Sequence, residues 1–368
     1  MGNWEKCTEG LERKVSKYEY DSAFFDFYKG KKVLITGISG FKGSWMLKIL
    51  SMCGARVCGY ALRPPTEPAL FDIIGGRALC GFVEGDIRDL EKLKATFAEF
   101  KPEIVIHMAA QPLVIESYKN PVYTYETNVM GTVNVCECVR LSESVRAFLN
   151  VTTDKVYLNN EWEWGYREDE KLMGYDPYSN SKSCSELVTY SYARSFPRTA
   201  AVSTARAGNV IGGGDFAENR IIPDCVRAAV KGGSIIVRNP YSTRPYQHVL
   251  EPVFAYLMLC REMYNDGSVA GNYNVGPDFT DCLMTGDIVD MFCRAWGNIC
   301  WENRCHENAP HEANFLKLDC SKIKKEFGWQ PRWNAEKAVD AVVEWTRAYY
   351  SGRDAAEIME KQIKEYVS

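Results

Sequence analysis

The run Thr36-Gly37-Ile38-Ser39-Gly40-Phe41-Lys42-Gly43 constrains this chain more than any other stretch. It follows the apolar segment Val33-Leu34-Ile35 and opens a helical pattern over 41–53. Glycines between a strand and a helix allow a tight turn and let backbone N–H groups approach a pyrophosphate at the helix N-terminus. In that context the spacing, GxxGxxG, reads as a dinucleotide loop rather than a plain turn.

The same alternation continues downstream. Strand patterns at 56–60, 82–84, 104–107, 147–151 and 202–205 alternate with helical ones at 90–100, 122–141 and 178–195. Apolar strands between amphipathic helices predict an α/β fold, a Rossmann-type doubly wound parallel sheet. After Asn209 glycine, proline and aromatic residues become frequent, and short strands are expected at 235–238, 273–275 and 315–318. The expected division is an N-terminal arm over 1–30, a mainly dinucleotide-binding domain over 31–208, and a smaller mixed α/β substrate domain over 209–368. The chain is expected to cross between the two lobes.

Composition narrows the partners. A net charge of −4 gives no reason to expect nucleic acid or an anionic membrane. The start, Met1-Gly2-Asn3-Trp4, lacks the regions of a signal peptide, and no apolar run approaches the roughly 18 residues of a membrane span. A cytoplasmic protein is expected. The 14 cysteines are scattered without a CxxC pair, so reduced thiols and no metal centre are expected.

Two further groups carry chemistry. Tyr178-Ser179-Asn180-Ser181-Lys182 begins a helical pattern, and a spacing of four puts phenol and ammonium on one face. The ammonium lowers the phenol pKa, so that Tyr178 can take a proton from a hydroxyl. Thr153-Asp154-Lys155 stands at the carboxyl end of a strand, where open parallel sheets place their ligands. A hydroxyl, an acid and a cation in succession there are hard to explain as packing. The end of the second strand, Tyr60-Ala61-Leu62-Arg63, lacks the acid that usually holds a ribose hydroxyl, so Arg63 leaves the choice between NAD and NADP open. Asp86-Ile87 and Ala109-Ala110-Gln111 suit an adenine and ribose site.

These motifs, with Gly40-Phe41-Lys42-Gly43-Ser44-Trp45, Thr127-Asn128-Val129-Met130-Gly131-Thr132, Arg206-Ala207-Gly208-Asn209 and Arg244-Pro245-Tyr246-Gln247-His248, carry a family resemblance over roughly residues 28 to 350. The chain resembles the NAD-dependent epimerase/dehydratase family of the extended short-chain dehydrogenase/reductases. Within that family the Asp154-Lys155 pair is similar to the CDP-glucose 4,6-dehydratases. Epimerases generally lack the acid, and other nucleotide-sugar dehydratases carry a different residue after it.

The resemblance implies NAD as cofactor, CDP-glucose as substrate, a homodimer built on helices near 124–139 and 178–195, and a role in deoxysugars of surface polysaccharides such as lipopolysaccharide. A dehydratase or 4-epimerase for another nucleotide sugar is the alternative. Cofactor contacts are implied at Gly37, Ser39, Gly40, Phe41, Lys42 and Gly43, at Arg63, Asp86 and Ile87, and at Ala109, Ala110, Gln111, Asn128, Tyr178, Lys182 and Arg206. Substrate contacts are implied at Gln111 and Ser117 for the hexose, and at Asn209, Arg220, Arg238, Arg244, His248 and His311. Catalysis would fall to Thr153, Asp154, Lys155, Tyr178 and Lys182. Asp154 would be the acid of a water elimination, and Lys155 either its base or a cation that stabilises the enolate.

Overall fold

Six strands of the N-terminal half lie side by side: β1 (Lys32–Thr36), β2 (Arg56–Ala61), β3 (Gly81–Glu84), β4 (Ile104–His107), β5 (Ala147–Thr153) and β6 (Ala201–Ala207). They belong to a computed structural model that describes residues 16–196, 200–305 and 315–368. A strand from the C-terminal half, Asn272–Val275, joins them beside β6, and the seven run parallel in the order β3-β2-β1-β4-β5-β6 and then 272–275. Parallel strands buried on both faces need continuous apolar sequence, and β5 has every residue buried. The chain leaves β1 toward β2 on one side and returns to β4 on the other. A crevice opens there at the carboxyl ends, the ligand position of such sheets.

Helices cover both faces. Phe41–Met52 and Leu250–Asn265 pack on one face, and Leu90–Phe100, Gly131–Leu141 and Pro177–Ser195 on the other. Leu250–Asn265 has twelve buried residues, so it is a core helix of the sheet although it lies beyond Asn209 in sequence. Each Leu or Phe buried this way contributes about 1.5–3 kcal/mol. The remaining lobe has its own core, including Ile222, Val237, Phe292 and Val339, between helices Ile221–Lys231, Thr285–Trp296 and Ala335–Tyr350.

The ends of the expected strands and helices agree with those observed to within two residues, with two exceptions inside the described chain. The segment 315–318 forms no strand: Phe315 and Leu318 each make a single bridge, to Thr243 and Tyr166, because these neighbours belong to different segments and offer no continuous ladder. The helical run from Pro121 contains a π-helical turn, Glu126–Met130, between its two α segments. Of the N-terminal arm, residues 1–15 lie outside the described residues. Tyr20 and Phe24 pack on Phe254, with ring centroids 4.7 and 5.9 Å apart, which docks the arm on the core helix.

Candidate active site

The glycine loop sits over the crevice. Gly37 has φ +75°, a left-handed conformation that favours glycine, and a Cβ there would fall 2.7 Å from the Ala109 nitrogen. A Cβ on Gly43 would fall 2.5 Å from the Ile38 carbonyl oxygen, so the helix can start against the loop only without one. Ser39 Oγ donates to the Leu62 carbonyl at 2.9 Å, tying this loop to the end of β2. Thr36 Oγ1 receives the N–H groups of Met108 and Ala109 and bonds His107 Nδ1 at 2.6 Å, which joins the ends of β1 and β4. Burial holds His107 neutral, its pKa lowered to about 3. This hydroxyl–imidazole brace was invisible in sequence because neither residue stands near the other in the chain.

Beyond the end of β2 Arg63 is exposed, and its Nε lies 3.0 Å from Glu84 Oε1 at the end of β3. Asp86 is held by Arg88 at 2.7 Å, and Arg88 also reaches Glu126 at 2.9 Å. Ile87 is buried beside them, packed under Gly131.

The catalytic candidates converge at the ends of β5 and the helix Pro177–Ser195. Asp176 caps that helix through the Ser179 N–H, with Pro177 in its first turn. Lys182 Nζ donates to the Val151 carbonyl at 3.0 Å. Burial, and then the charge of Lys42, lower the Lys182 pKa to about 8. Burial also raises the Tyr178 phenol to about 12, against which a hydrogen bond with Thr153 works in the opposite direction. Asp154 is 1% exposed. Its Oδ1 accepts from Thr153 Oγ1 at 2.9 Å, whereas its Oδ2 has no partner among the described residues. Burial raises its pKa, with Lys155, Thr153 and Arg244 opposing. A carboxyl in that setting favours the protonated, donating form. Lys155 is half-buried just beyond it.

Lys42 also belongs to this cluster. Burial lowers its pKa to about 8, followed by the charge of Arg220, while Asp154 opposes. Phe41 precedes it, half-buried at the helix start. Asn128, inside the π-helical turn, accepts the Gln111 N–H at 2.8 Å and donates to Ser181 Oγ at 2.9 Å. It thereby fixes the loop after β4 to the helix that carries Tyr178. Ala109 and Ala110 of that loop stay half-buried next to Gly37.

Several expected ligand contacts are instead held by the protein. The Arg206 guanidinium is buried, paired with Glu186 at 2.9 Å and donating to Tyr157 Oη and the Glu168 carbonyl. Gln111 spends its side chain on Thr124 Oγ1 and the Leu113 N–H. Ser117 Oγ donates to the Val114 carbonyl at 2.7 Å. His248 is fully buried between Trp45 and Trp333, at ring distances of 5.7 and 4.8 Å. In all four the polar atoms or ring are engaged or enclosed by the protein itself. His311 lies outside the described residues. Arg244 is buried with its charge felt by Asp154, Arg220 is half-buried on Asp215 at 3.1 Å, and Arg238 is exposed with Asn219 at 3.2 Å. Asn209 is half-buried, its carbonyl accepting the Gln247 N–H.

Comparison with known proteins bears on this geometry. The family model described as GDP-mannose 4,6 dehydratase matches residues 34–342. The chain is 47% identical over 351 residues to a CDP-glucose 4,6-dehydratase of Salmonella typhimurium, covering 93% of this chain and 98% of that protein. It is 28% identical to a dTDP-glucose 4,6-dehydratase of Streptomyces antibioticus, over 86% of this chain and 92% of the other. Among solved structures, a dTDP-glucose 4,6-dehydratase from Bacillus anthracis in complex with NAD superposes with a TM-score of 0.72 at 21% identity, covering 89% of this chain and 100% of that one. A UDP-glucose 4-epimerase from Thermotoga maritima with UDP-glucose gives 0.74 at 20% identity, covering 87% of this chain and 99% of that one. At such identities the two structures establish the fold.

Proposed function

The chain belongs to the GDP-mannose 4,6 dehydratase family, and from that premise we propose that it is a CDP-glucose 4,6-dehydratase, a hydro-lyase that uses NAD. The observation that carries the reading is the 47% identity to the Salmonella enzyme along 93% of the chain, which includes the Thr153-Asp154-Lys155 and Tyr178–Lys182 groups.

The residues present fit the cofactor. The loop suits a pyrophosphate: Gly37 and Gly43 let it pack against the Ala109 and Ile38 backbone at the start of the helix 41–52, and Gly40, Phe41 and Lys42 would border the anion. Arg63 is exposed and lies against Glu84, whose carboxylate would repel a 2′-phosphate held there, which favours a free ribose hydroxyl. NAD held there would supply a hydride acceptor for C4 of the sugar and, once reduced, a hydride donor for C6.

The side chains handle the protons. Tyr178, four residues before Lys182 on the same helix and with its phenol hydrogen-bonded to Thr153, takes the proton of the 4-hydroxyl. The resulting C4 ketone acidifies C5. Lys155 either removes the C5 proton or holds the enolate oxygen as a cation. Asp154 donates through Oδ2 to the departing 6-hydroxyl, which leaves as water and gives a 4-keto-5,6-ene; a hydride added at C6 and a proton returned to C5 complete the 4-dehydro-6-deoxy sugar. Arg220, Arg238 and Arg244 supply positive charge for the diphosphate.

The protein is further proposed to act in the cytoplasm as a homodimer, making a deoxysugar precursor of surface polysaccharide. Among the described residues no helix is long and apolar enough to cross a membrane. Val122, Met130, Leu187 and Tyr190 expose apolar surface on the two helical segments expected to pair.

Mass spectrometry of CDP-glucose incubated with protein and NAD, beside dTDP-, GDP- and UDP-glucose, tests the reading. Loss of one water from CDP-glucose alone is the expected result. Water loss from another of these sugars alone would move the substrate, and turnover of none would remove the activity.

A further inference from the structure

Asp154 is held on one side only. Thr153 fixes Oδ1, and the oxygen with no partner, Oδ2, faces the turn between β6 and the strand Val210–Ile211. Gly208 occupies that turn. A Cβ on Gly208 would stand 3.1 Å from Asp154 Oδ2, 3.0 Å from the Pro245 carbonyl oxygen and 2.4 Å from Pro245 Cγ. Gly208 has no left-handed φ, so backbone freedom does not explain the glycine; close approach does.

Neither neighbour yields easily. Pro245 ends the strand Thr243–Pro245, which is paired antiparallel with Cys282–Met284. Asp154 follows β5, a strand buried along its whole length. A methyl group at 208 would be caught between them, and any relief by turning the planar Asp154 carboxyl would move Oδ1 on Thr153 together with Oδ2.

We infer that Gly208 is a positioning residue for the elimination step: by bringing no side chain to the turn, it fixes where Asp154 Oδ2 meets the leaving 6-hydroxyl. The inference rests on the dehydratase reading. The three atoms nearest a Cβ at 208 belong to Pro245 and Asp154 and none to Tyr178 or Lys182, which serve the preceding oxidation, so disturbance at 208 falls first on the elimination. Proton transfer to a leaving group demands alignment, and misplacing a catalytic group by about 1 Å can cost about a hundredfold.

The test is single-turnover mixing of CDP-glucose with NAD-loaded wild type, Gly208→Ala, and Gly208→Ala/Pro245→Ala. Reduced cofactor is followed by absorbance and water loss by mass spectrometry. Gly208→Ala is expected to oxidise C4 within about threefold of wild type while water loss falls about ten- to a hundredfold, so that reduced cofactor accumulates. The double variant, which removes the Pro245 Cγ contact, is expected to keep the elimination defect, and it decides alone where the single variant does not fold. Equal loss of both steps in a folded variant overturns the inference. So does unimpaired water loss, or its recovery in the double variant, which would place the effect on the strand 243–245. A wild type that dehydrates no CDP-glucose would instead remove the functional reading on which the inference stands.

Discussion

Thr153 Oγ1 donates to Asp154 Oδ1 at 2.9 Å and is also the hydrogen-bonding neighbour of the Tyr178 phenol, so one hydroxyl touches both the acid and the base of the proposed reaction. Its single proton lowers the pKa of whichever group receives it, the Asp154 carboxylate or the Tyr178 phenolate, against the effect of burial. Thr153→Val should therefore raise the Tyr178 pKa in the state where the phenolate receives it. Oxidation needs Tyr178 deprotonated, so the acid limb of its pH profile should move to higher pH and the rate near neutrality should fall about ten- to a hundredfold. Thr153→Ser should restore the limb. A Thr153→Val profile that overlays wild type would remove Thr153 from this role.

Lys42 and Lys182 repel one another across the crevice. Lys182 is lowered to about 8, first by burial and then by Lys42. Oxidation that relies on charged Lys182 should fail as pH rises through that value. Lys42→Met removes the neighbouring charge, so this alkaline limb should move upward by up to about one unit. The rate of C4 oxidation at saturating NAD, measured against pH, checks it.

Glu251 is a buried acid of the core helix. It accepts the Arg332 and Trp333 N–H groups at 2.9 and 2.7 Å and the Tyr366 hydroxyl at 2.7 Å, yet burial raises its pKa to about 7. A folded-state pKa above the unfolded one means that its stabilisation is complete below about pH 4.5 and is lost as pH rises through about 7. Wild type should lose up to about 3 kcal/mol over that window from this group. The melting temperature of Glu251→Gln should be flatter than that of wild type between pH 5 and 8.

Arg206 and Glu186 are each 1% exposed and form a 2.9 Å ion pair. Arg206→Met would strand the Glu186 charge and should cost about 3–5 kcal/mol in chemical denaturation. Arg206→Met/Glu186→Leu should recover part of that loss. If NAD affinity in folded Arg206→Met fell by orders of magnitude, the arginine would have a ligand role after all.

Leu187 and Tyr190 project from the helix Pro177–Ser195 with 54% and 58% exposure. Leu187→Arg should turn the proposed dimer into a monomer in light scattering, because an arginine cannot be buried unpaired in an apolar interface. A wild type that is itself monomeric would dismiss this surface.

Much of the architecture was legible because it rests on local signals. Continuous apolar runs marked β1, β4 and β5, and the glycine loop, the Asp176 cap and the Tyr178–Lys182 spacing each lie within a few residues of sequence. What escaped depends on residues distant in sequence. Arg206, His248 and Gln111 carry polar groups typical of ligand contacts, and only the fold reveals Glu186, the tryptophans and Thr124 around them. Glu84 reaching Arg63 from the next strand was hidden for the same reason. The segment 315–318 misled in the opposite sense, since alternating apolar residues earn a strand only where a neighbour runs alongside.

The strand Asn272–Val275 completes the sheet from beyond the whole catalytic region. During synthesis, β6 therefore leaves the ribosome with one edge bare and waits for about 65 further residues before its partner arrives. An uncovered, apolar parallel edge invites pairing with other chains. A protein shortened before residue 272 would carry all five catalytic candidates and still be prone to aggregate, so the lobes are not separable units of expression. Pairing across so long a separation is intrinsically slow, so the last step in closing the sheet is set by where this one short strand is encoded.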